Sequence, residues 1–122
     1  MDHTKFRHLY PFKSHFIKLR GFNYHFIDEG QGKPVLMIHG NPTWSFYYRE
    51  LEKALSPQFR TIVPDHLGCG FSDKPDSSLY GYSLVDRVND IESLIDKLKL
   101  KGKVNIIAHD WGGMIGMANR AQ

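Results

Sequence analysis

The stretch that decides the fold is VNIIAHDWGG, residues 104–113. It opens with a short apolar run of the kind found in strands that are buried on both faces of a sheet. Asp110 follows almost at once, with the small residues Ala108 and Gly112 two positions to either side. Larger side chains at those two positions would collide in a sharp turn from a strand into a helix. The stretch therefore predicts a strand, a tight turn and a helix that begins near Trp111.

The same turn predicts a chemical role for Asp110. A side chain at this point stands at the amino terminus of a helix, where backbone N–H groups and the helix dipole stabilise negative charge. We therefore interpret Asp110 as a nucleophile that occupies the position of the serine in other turns of this kind. The alternative is an aspartate that only caps the helix, but capping does not require small residues on both sides.

Outward from this stretch, the chain alternates strands and helices. Period-2 alternation predicts two antiparallel strands that meet at Gly21, apolar runs predict three buried strands, and helical spacing predicts two helices. The hairpin strands are residues 16–20 and 22–26, the buried strands are 35–38, 61–63 and 104–108, and the helices run from Ser45 to Leu55, before Pro57, and from Leu84 to Gly102. The order predicts an α/β fold with a mostly parallel sheet, helices on both faces and an amino-terminal antiparallel hairpin.

Helical spacing also predicts which residues of each helix face the sheet. In the first helix, Leu51 and Ala54 fall on the apolar side and Glu52 falls on the solvent side. In the second helix, Arg87 and Asp90 are expected to face water. Both helices are therefore expected to cover the sheet with an apolar stripe.

Ligands of such sheets bind beyond the carboxyl ends of the strands, which here means residues 39–41, 65–66 and 109–111. Gly40 allows the backbone to turn so that the amide of Asn41 faces the turn at Asp110. Two amides, from Asn41 and Trp111, would then form an oxyanion hole. An ordinary strand-to-helix turn, with Pro42 near the helix start, is the alternative for this segment.

Several function classes are disfavoured by composition. Cys69 is the single cysteine, which excludes an internal disulfide and favours a reducing, cytoplasmic compartment. No apolar run approaches the roughly 20 residues that cross a bilayer. The net charge is +3, and five of the 16 basic residues lie in residues 1–20, where the interleaved aromatic residues are expected to be buried. We therefore expect no membrane span and no nucleic-acid partner.

Metal and nucleotide sites are also disfavoured. Histidines and carboxylates occur at all three strand ends, but the chain lacks a tight ligand pair such as HExxH. The glycine-rich loop 66–75 lacks the Gly-Lys-Ser/Thr of a phosphate-binding loop, and we interpret it as a structural support for the site. We expect no metal and no cofactor. His39 is expected to bond to backbone beneath the loop that carries Asn41.

Three motifs together resemble a known family. HGNPTWSFYYR at residues 39–49, PDHLGCGFSDKP at 64–75 and HDWGGMIG at 109–116 are similar to the amino-terminal half of α/β-hydrolases of the haloalkane dehalogenase type. The residues of these motifs are most similar to those of the branch that includes the β-lactone decarboxylases of olefin biosynthesis. The resemblance begins near residue 14.

The resemblance implies a mechanism for a small, hydrophobic substrate. Asp110 would attack an sp³ carbon and displace halide, and a histidine-activated water would hydrolyse the resulting ester. The family's halide-binding pair corresponds to the side-chain amide of Asn41 and the indole N–H of Trp111, with Pro42 beside the substrate. In the decarboxylases, the aspartate would open a lactone that then loses carbon dioxide to leave an alkene. Epoxide hydrolases share HDWGG.

The family's histidine base, its acidic partner and the cap domain have no counterpart in this sequence. We therefore expect residues 1–122 to be the amino-terminal part of one larger domain, without turnover of its own. A catalytically inactive fragment is the alternative. The strand 104–108 has no predicted outer neighbour, and an open edge of this kind offers a route to self-association.

Overall fold

The computed structural model describes residues 10–40, 43–100 and 104–109. A mixed sheet of five strands forms its centre, in the order β1-β2-β4-β3-β5. The strands are β1 (His15–Leu19), β2 (Phe22–Glu29), β3 (Pro34–Ile38), β4 (Arg60–Pro64) and β5 (Asn105–Ala108); a 3₁₀ helix spans Ser45–Tyr48, and the α-helices are α1 (Arg49–Leu55) and α2 (Leu84–Lys97).

The strand directions confirm the predicted fold class. Strand β2 is antiparallel to both β1 and β4. Strand β3 is parallel to both β4 and β5. Four strands therefore share one direction and β2 opposes them. The parallel strands β4, β3 and β5 lie side by side, so their carboxyl ends meet at one edge of the sheet.

The turn of the amino-terminal hairpin differs slightly from the prediction. Arg20 was expected to end the first strand, but it is the first residue of a two-residue turn, with φ of 54° at Arg20 and 85° at Gly21. Positive φ at both turn positions matches the twist of the two strands, which is why such tight hairpins form. Strand β2 also continues beyond the predicted residue 26, because its second half pairs with β4 from Phe26 to Glu29.

Apolar side chains cover both faces of the sheet. Alternate residues of β3 point to opposite faces, with Leu36 and Ile38 on the side of α2 and Val35 and Met37 on the other. The α2 face is completed by Tyr24, Ile62, Leu67, Val88, Ile91 and Leu94, and the other face by Tyr10, Phe12, Ile27, Tyr48 and Val63. Burial on both sides explains why β3 reads as a continuous apolar run.

The aromatic residues of the amino-terminal segment are buried in part. Tyr10 and Phe12 are enclosed in the core, as predicted. Phe16 is 52% exposed, so the prediction was wrong at that position. The reason is the alternation of β1, in which Ile17 and Leu19 take the inward positions.

Helix α2 begins and ends with local hydrogen-bonding motifs. Ser83 Oγ accepts the N–H of Asp86 at 3.1 Å, and the Asp86 carboxylate accepts the N–H of Ser83 at 3.3 Å, which forms a capping box. Lys99 lies in the left-handed region with φ of 54°, so the helix stops before it. Gly102, the predicted terminator, lies outside the described residues. No helix in the described ranges is long and apolar enough to cross a membrane.

Two charged residues of α2 are buried, in contrast to the prediction. Arg87 is 4% exposed and Asp90 is 2% exposed. Asp90 accepts a hydrogen bond from Tyr80 Oη at 2.6 Å and pairs with Arg20 at 3.3 Å. Arg87 donates from Nη2 to the carbonyl of Leu67 at 3.3 Å. The loop before α2 and the hairpin thus supply partners that helical spacing alone does not reveal.

The predicted faces of the first helix are also wrong. Glu52 is 1% exposed, whereas Leu51 and Ala54 are exposed. The helix begins with a 3₁₀ turn, which has 3.0 residues per turn instead of 3.6 and so shifts the phase of every residue after Tyr48. The carboxyl of Glu52 accepts a hydrogen bond from Thr61 Oγ1 on β4. Burial raises the pKa of Glu52 to about 7.

The raised pKa of Glu52 predicts that the free energy of unfolding falls over one range of rising pH. In that range the unfolded chain has lost the proton of the Glu52 carboxyl group and the folded chain still holds it. The range extends from the ordinary value of 4.5 to about 7. We expect Glu52→Gln to be more stable than the unsubstituted chain by about 1–3 kcal/mol at pH 8, and the difference to shrink toward zero near pH 4.5. Urea denaturation at the two pH values measures this.

Glu50→Gln is the matched control, because Glu50 lies on the same helix with its side chain exposed. It should change stability little at either pH. A Glu52→Gln effect of the same size at both pH values would contradict a buried, titrating Glu52.

Candidate active site

The carboxyl ends of β3, β4 and β5 lie together, as predicted. His39 and Gly40 follow β3, and Asp65 and His66 follow β4. The rings of His39 and His66 are 4.3 Å apart, and the N–H of His109 donates to the carbonyl of Ile38 at 3.3 Å. The structure thus brings the three predicted strand ends to one place. The predicted site residues Asn41, Pro42, Asp110 and Trp111 lie outside the described residues, and their roles stay predictions.

His39 has the backbone-bonding role that was predicted for it. Its Nε2 accepts the N–H of His66 at 3.0 Å, which places the ring proton on Nδ1. Nδ1–H donates to the carbonyl of Gly40 at 2.6 Å. Burial lowers the pKa of His39 and favours the neutral ring. Both ring nitrogens are therefore committed to structural hydrogen bonds, and His39 is not available as a general base.

His66 is equally unsuited to proton transfer. It is buried, and its Nε2–H donates to the carbonyl of His39 at 3.2 Å. Burial and the neighbouring His39 and Arg87 hold the pKa of His66 well below its usual range. The pair His39–His66 is thus a neutral, reciprocal link between the ends of β3 and β4.

Asp65 is the residue that joins most segments at this edge, a role that its predicted place at the end of a strand did not reveal. Its Oδ1 accepts the N–H of Ser45 at 2.6 Å. Its Oδ2 accepts Nδ1–H of His25 at 2.7 Å and the N–H of Phe71 at 3.1 Å. The carboxylate is fully buried. It therefore ties the loop after β3, strand β2 and the glycine-rich loop to the end of β4.

The glycine-rich loop supports the site, as predicted. Gly70 has φ of 53°, and a Cβ there would lie 2.5 Å from the Asp65 carboxyl group. Ser72 Oγ–H donates to the carbonyl of Asp65 at 2.6 Å. Glycine at position 70 was the signal in the sequence that could have pointed to a close partner. Cys69 in this loop is partly buried, and burial raises the pKa of its thiol, in agreement with the predicted packing role.

A chain of hydrogen bonds runs from Ser14 through His25 to Asp65. Ser14 Oγ lies 3.0 Å from His25 Nε2, so the order of groups is that of a serine hydrolase triad. His25 is fully buried, however, and Asp65 also serves two backbone N–H groups. We interpret the chain as a structural link that fixes the hairpin to the end of β4.

An open depression of about 340 Å³ lies beside the loop after β3. It is lined by Thr43, Trp44, Phe46, Tyr47 and Arg49. The rings of Trp44 and Phe46 are stacked 5.3 Å apart, and the Arg49 guanidinium lies 4.1 Å from the centre of the Phe46 ring. Tyr47 stacks on His109 at 4.9 Å. The depression is thus mainly aromatic, and it adjoins both strand ends that lead to the predicted site residues.

Metal ligands do not cluster in the part of the chain that the structure describes. No group of three histidine, cysteine, aspartate or glutamate side chains is placed to hold an ion there. The nitrogens of His39 are already bonded to backbone groups.

The comparison with known proteins agrees with this geometry. The family model described as "alpha/beta hydrolase fold" matches residues 33–119. The chain belongs to the α/β-hydrolase fold family. It superimposes on epoxide hydrolase VrEH1 from Vigna radiata with a TM-score of 0.80 at 33% identity, covering 88% of this chain and 35% of that one. The corresponding values for haloalkane dehalogenase DatA from Agrobacterium tumefaciens are 0.78, 30%, 86% and 35%.

Two groups of curated relatives match most of this chain. The chain is 55% identical over 114 residues to the cis-3-alkyl-4-alkyloxetan-2-one decarboxylase of Shewanella oneidensis, covering 93% of this chain and 36% of the relative. It is 42% identical over 118 residues to haloalkane dehalogenase 2 of Mycobacterium tuberculosis, covering 97% and 40%. These findings confirm the resemblance. The chain spans well under half the length of these relatives.

The role of Asp65 predicts a large effect of removing its charge. Asp65→Asn replaces one accepting oxygen by an NH₂ group that faces N–H donors. This NH₂ group would be buried, out of reach of water. We expect a loss of about 3 kcal/mol in the free energy of unfolding, measured by urea denaturation.

Asp96→Asn is the matched control, because Asp96 lies exposed on α2. It should change the free energy of unfolding by less than about 0.5 kcal/mol. If Asp65→Asn cost no more than this control, the carboxylate would not be the link that the hydrogen bonds indicate.

Proposed function

We propose that this chain supplies the nucleophile and the anion donors of an α/β-hydrolase-fold enzyme that acts at an alkyl carbon. Asp110 is the nucleophile, and Asn41 and Trp111 are the donors. The observation that carries the proposal is the register of β3 with β5, in which Ile38 lies opposite Ala108. Neighbouring strands are about 4.8 Å apart, so the segments that continue to Asn41 and Asp110 leave the sheet side by side.

A carboxylate suits the environment at this edge. An aspartate is already ionised at neutral pH, because its ordinary pKa is about 3.9, and it attacks carbon without help from a base. The histidines that follow β3 and β4, His39 and His66, are buried, neutral and bonded to backbone. A serine at position 110 would need a base that neither of them supplies. Attack by the aspartate at position 110 does not depend on such a base.

The substrate class that we propose is a β-lactone with alkyl chains on the ring. Asp110 Oδ bonds to C4, the sp³ ring carbon that is bonded to the ring oxygen. The bond between C4 and the ring oxygen breaks, which leaves a carboxylate on the neighbouring carbon C3. That carboxylate then leaves as carbon dioxide. Its electron pair forms the C=C bond, and the ester C–O bond breaks to restore Asp110. Atoms and charge balance without water or an added proton.

One observation supports the lactone over the alkyl halide, and a second agrees with either substrate. The decarboxylase of Shewanella oneidensis is more similar to this chain, at 55% identity, than the dehalogenase at 42%. The aromatic depression that Thr43 and its neighbours line offers an apolar surface for the alkyl chains of either substrate. We assign the substrate to the small, hydrophobic class on these grounds.

Hydrolysis of alkyl halides is the second candidate, because dehalogenases are among the relatives. Asp110 would displace halide in the same way, but the ester would then have to be cleaved by water. Cleavage needs a histidine base, and the buried His25, His39 and His66 are committed to hydrogen bonds with their neighbours. None of these three histidines is free to supply this step.

The nucleophile can be tested without turnover. We expect the full chain, treated with 1-bromohexane, to gain one hexyl group on the peptide that contains Asp110 and to release one bromide. Asp110→Asn should abolish the adduct, and the exposed-site variant Asp96→Asn should keep it. Peptide mass spectrometry locates the group, and circular dichroism verifies that each sample is folded.

Absence of an adduct in a folded sample would contradict the proposal and favour a chain without catalytic chemistry. An adduct on another residue, unchanged in Asp110→Asn, would assign the nucleophile elsewhere.

The substrate class is tested with a cis-3,4-dialkyl-oxetan-2-one. The lactone route restores Asp110 without a histidine base, so it does not need the groups whose lack predicted no turnover. We expect the full chain to convert the lactone to an alkene and carbon dioxide, detected by gas chromatography, and Asp110→Asn to form neither. Repeated bromide release from bromohexane, with the lactone left intact, would favour the second candidate.

A further inference from the structure

One charged side chain lies among the rings that line the aromatic depression. Of the described lining residues, Arg49 alone carries a charge, and its guanidinium lies 4.1 Å from the centre of the Phe46 ring. Phe46 stacks in turn on Trp44, with an interplanar angle of 17°. The guanidinium is therefore the outer layer of a stack, and the ring beneath it holds the guanidinium plane in place.

The Arg49 guanidinium has N–H groups that no described residue accepts. Nη1 donates to the carbonyl of Phe46 at 3.1 Å, and Nε is buried without a partner among the residues that the structure describes. Leaving a buried N–H group without an acceptor costs free energy, and such groups are usually paired in folded proteins. Arg49 can therefore bind an acceptor that enters the depression.

The acidic residues nearest to Arg49 along the chain do not neutralise its charge. The carboxylate of Glu50 lies 3.7 Å from Lys53 Nζ, and the carboxyl of Glu52 accepts a hydrogen bond from Thr61 on β4. In the part of the chain that the structure describes, no ion pair joins Arg49 to a carboxylate. The depression thus combines one uncompensated positive charge with an apolar wall.

The size and charge of the depression favour a small, singly charged molecule. Its volume of about 340 Å³ falls within the range of ~300–1,000 Å³ that small-molecule sites have. A protein partner would need roughly 20–30 residues on each side of the interface, far more than line the depression. A carboxylate carries a single negative charge, and its two oxygens match the planar guanidinium.

We propose that the aromatic depression binds a carboxylate that carries an alkyl chain. The carboxylate pairs with the guanidinium of Arg49, and the chain packs against Trp44 and Phe46. This ligand class differs from the neutral substrates proposed above, which would use the same apolar wall without the charge. The inference concerns the depression alone and does not depend on the identity of the nucleophile.

The binding test compares octanoate with 1-octanol, which has the same chain length and no charge. Titration of the ¹⁵N-labelled full chain, followed by NMR, measures both affinities. We expect Arg49→Gln to weaken octanoate binding by about tenfold and to change 1-octanol binding by less than about twofold. Lys53→Gln is the matched control, because it removes the same charge at an exposed position of α1, and it should leave both affinities within about twofold.

The arginine side-chain signals test the contact itself. The sequence contains six arginines, and the Nε–H signal of Arg49 is the one that disappears in Arg49→Lys. Octanoate should shift this signal and 1-octanol should not, because the carboxylate accepts hydrogen bonds from the guanidinium. In the unsubstituted chain, added sodium chloride should weaken octanoate binding but not 1-octanol binding, since salt screens the charge pair.

Several outcomes would overturn the proposal. These are no octanoate binding by the folded chain, equal weakening of octanoate and 1-octanol by Arg49→Gln, or octanoate binding that leaves the Arg49 signal unmoved. A tetra-aspartate peptide that shifts this signal where octanoate does not would assign the depression to a protein partner instead. Circular dichroism verifies folding, and if the Arg49 variants fail to fold, the salt dependence of the two ligands in the unsubstituted chain decides.

Discussion

The carboxylate of Asp65 is the interaction on which the edge of the sheet depends. A buried charge is tolerated only when its oxygens are hydrogen-bonded, and here three N–H donors come from His25, Ser45 and Phe71. These donors belong to strand β2, the loop after β3 and the glycine-rich loop. None of the three segments can move without leaving part of the charge unpaired, so one side chain sets the positions of the loops around the site.

The apolar parts of the fold could be predicted because their signal is local. The run 35–38 predicted β3, and the spacing of apolar residues predicted the start of α2 at Leu84, although the helix ends at Lys97 and not at the predicted Gly102. Glu52, Arg87 and Asp90 were misassigned because their partners are set by the tertiary fold: Thr61 on β4, the Leu67 carbonyl, and Tyr80 with Arg20. Charge in a helix predicts exposure only where no such partner exists. The 3₁₀ turn added an error of phase that spacing cannot detect.

The candidate site divides in the same way. Its location at the carboxyl ends of the strands follows from topology, and the structural role of His39 follows from a histidine directly after a buried strand. The structural roles of Asp65 and His25 were missed because they depend on contacts between separated segments. The bond between His25 and Asp65 spans 40 residues. Gly70 is the residue whose type indicates a close contact, because a side chain there would collide with the Asp65 carboxyl group.

The electrostatics of the edge bear on which nucleophile it can support. The histidine rings at the ends of β3 and β4 are kept neutral by burial, and their hydrogen bonds leave no ring nitrogen of His39 to take a proton. The Asp65 carboxylate already accepts hydrogen bonds from His25, Ser45 and Phe71. Neither of the two rings that follow β3 and β4 therefore provides a mobile base. Such an environment suits a nucleophile that is charged before the substrate arrives. The two candidate substrates differ in the step after the ester has formed, because the halide route needs a base for hydrolysis and the lactone route does not.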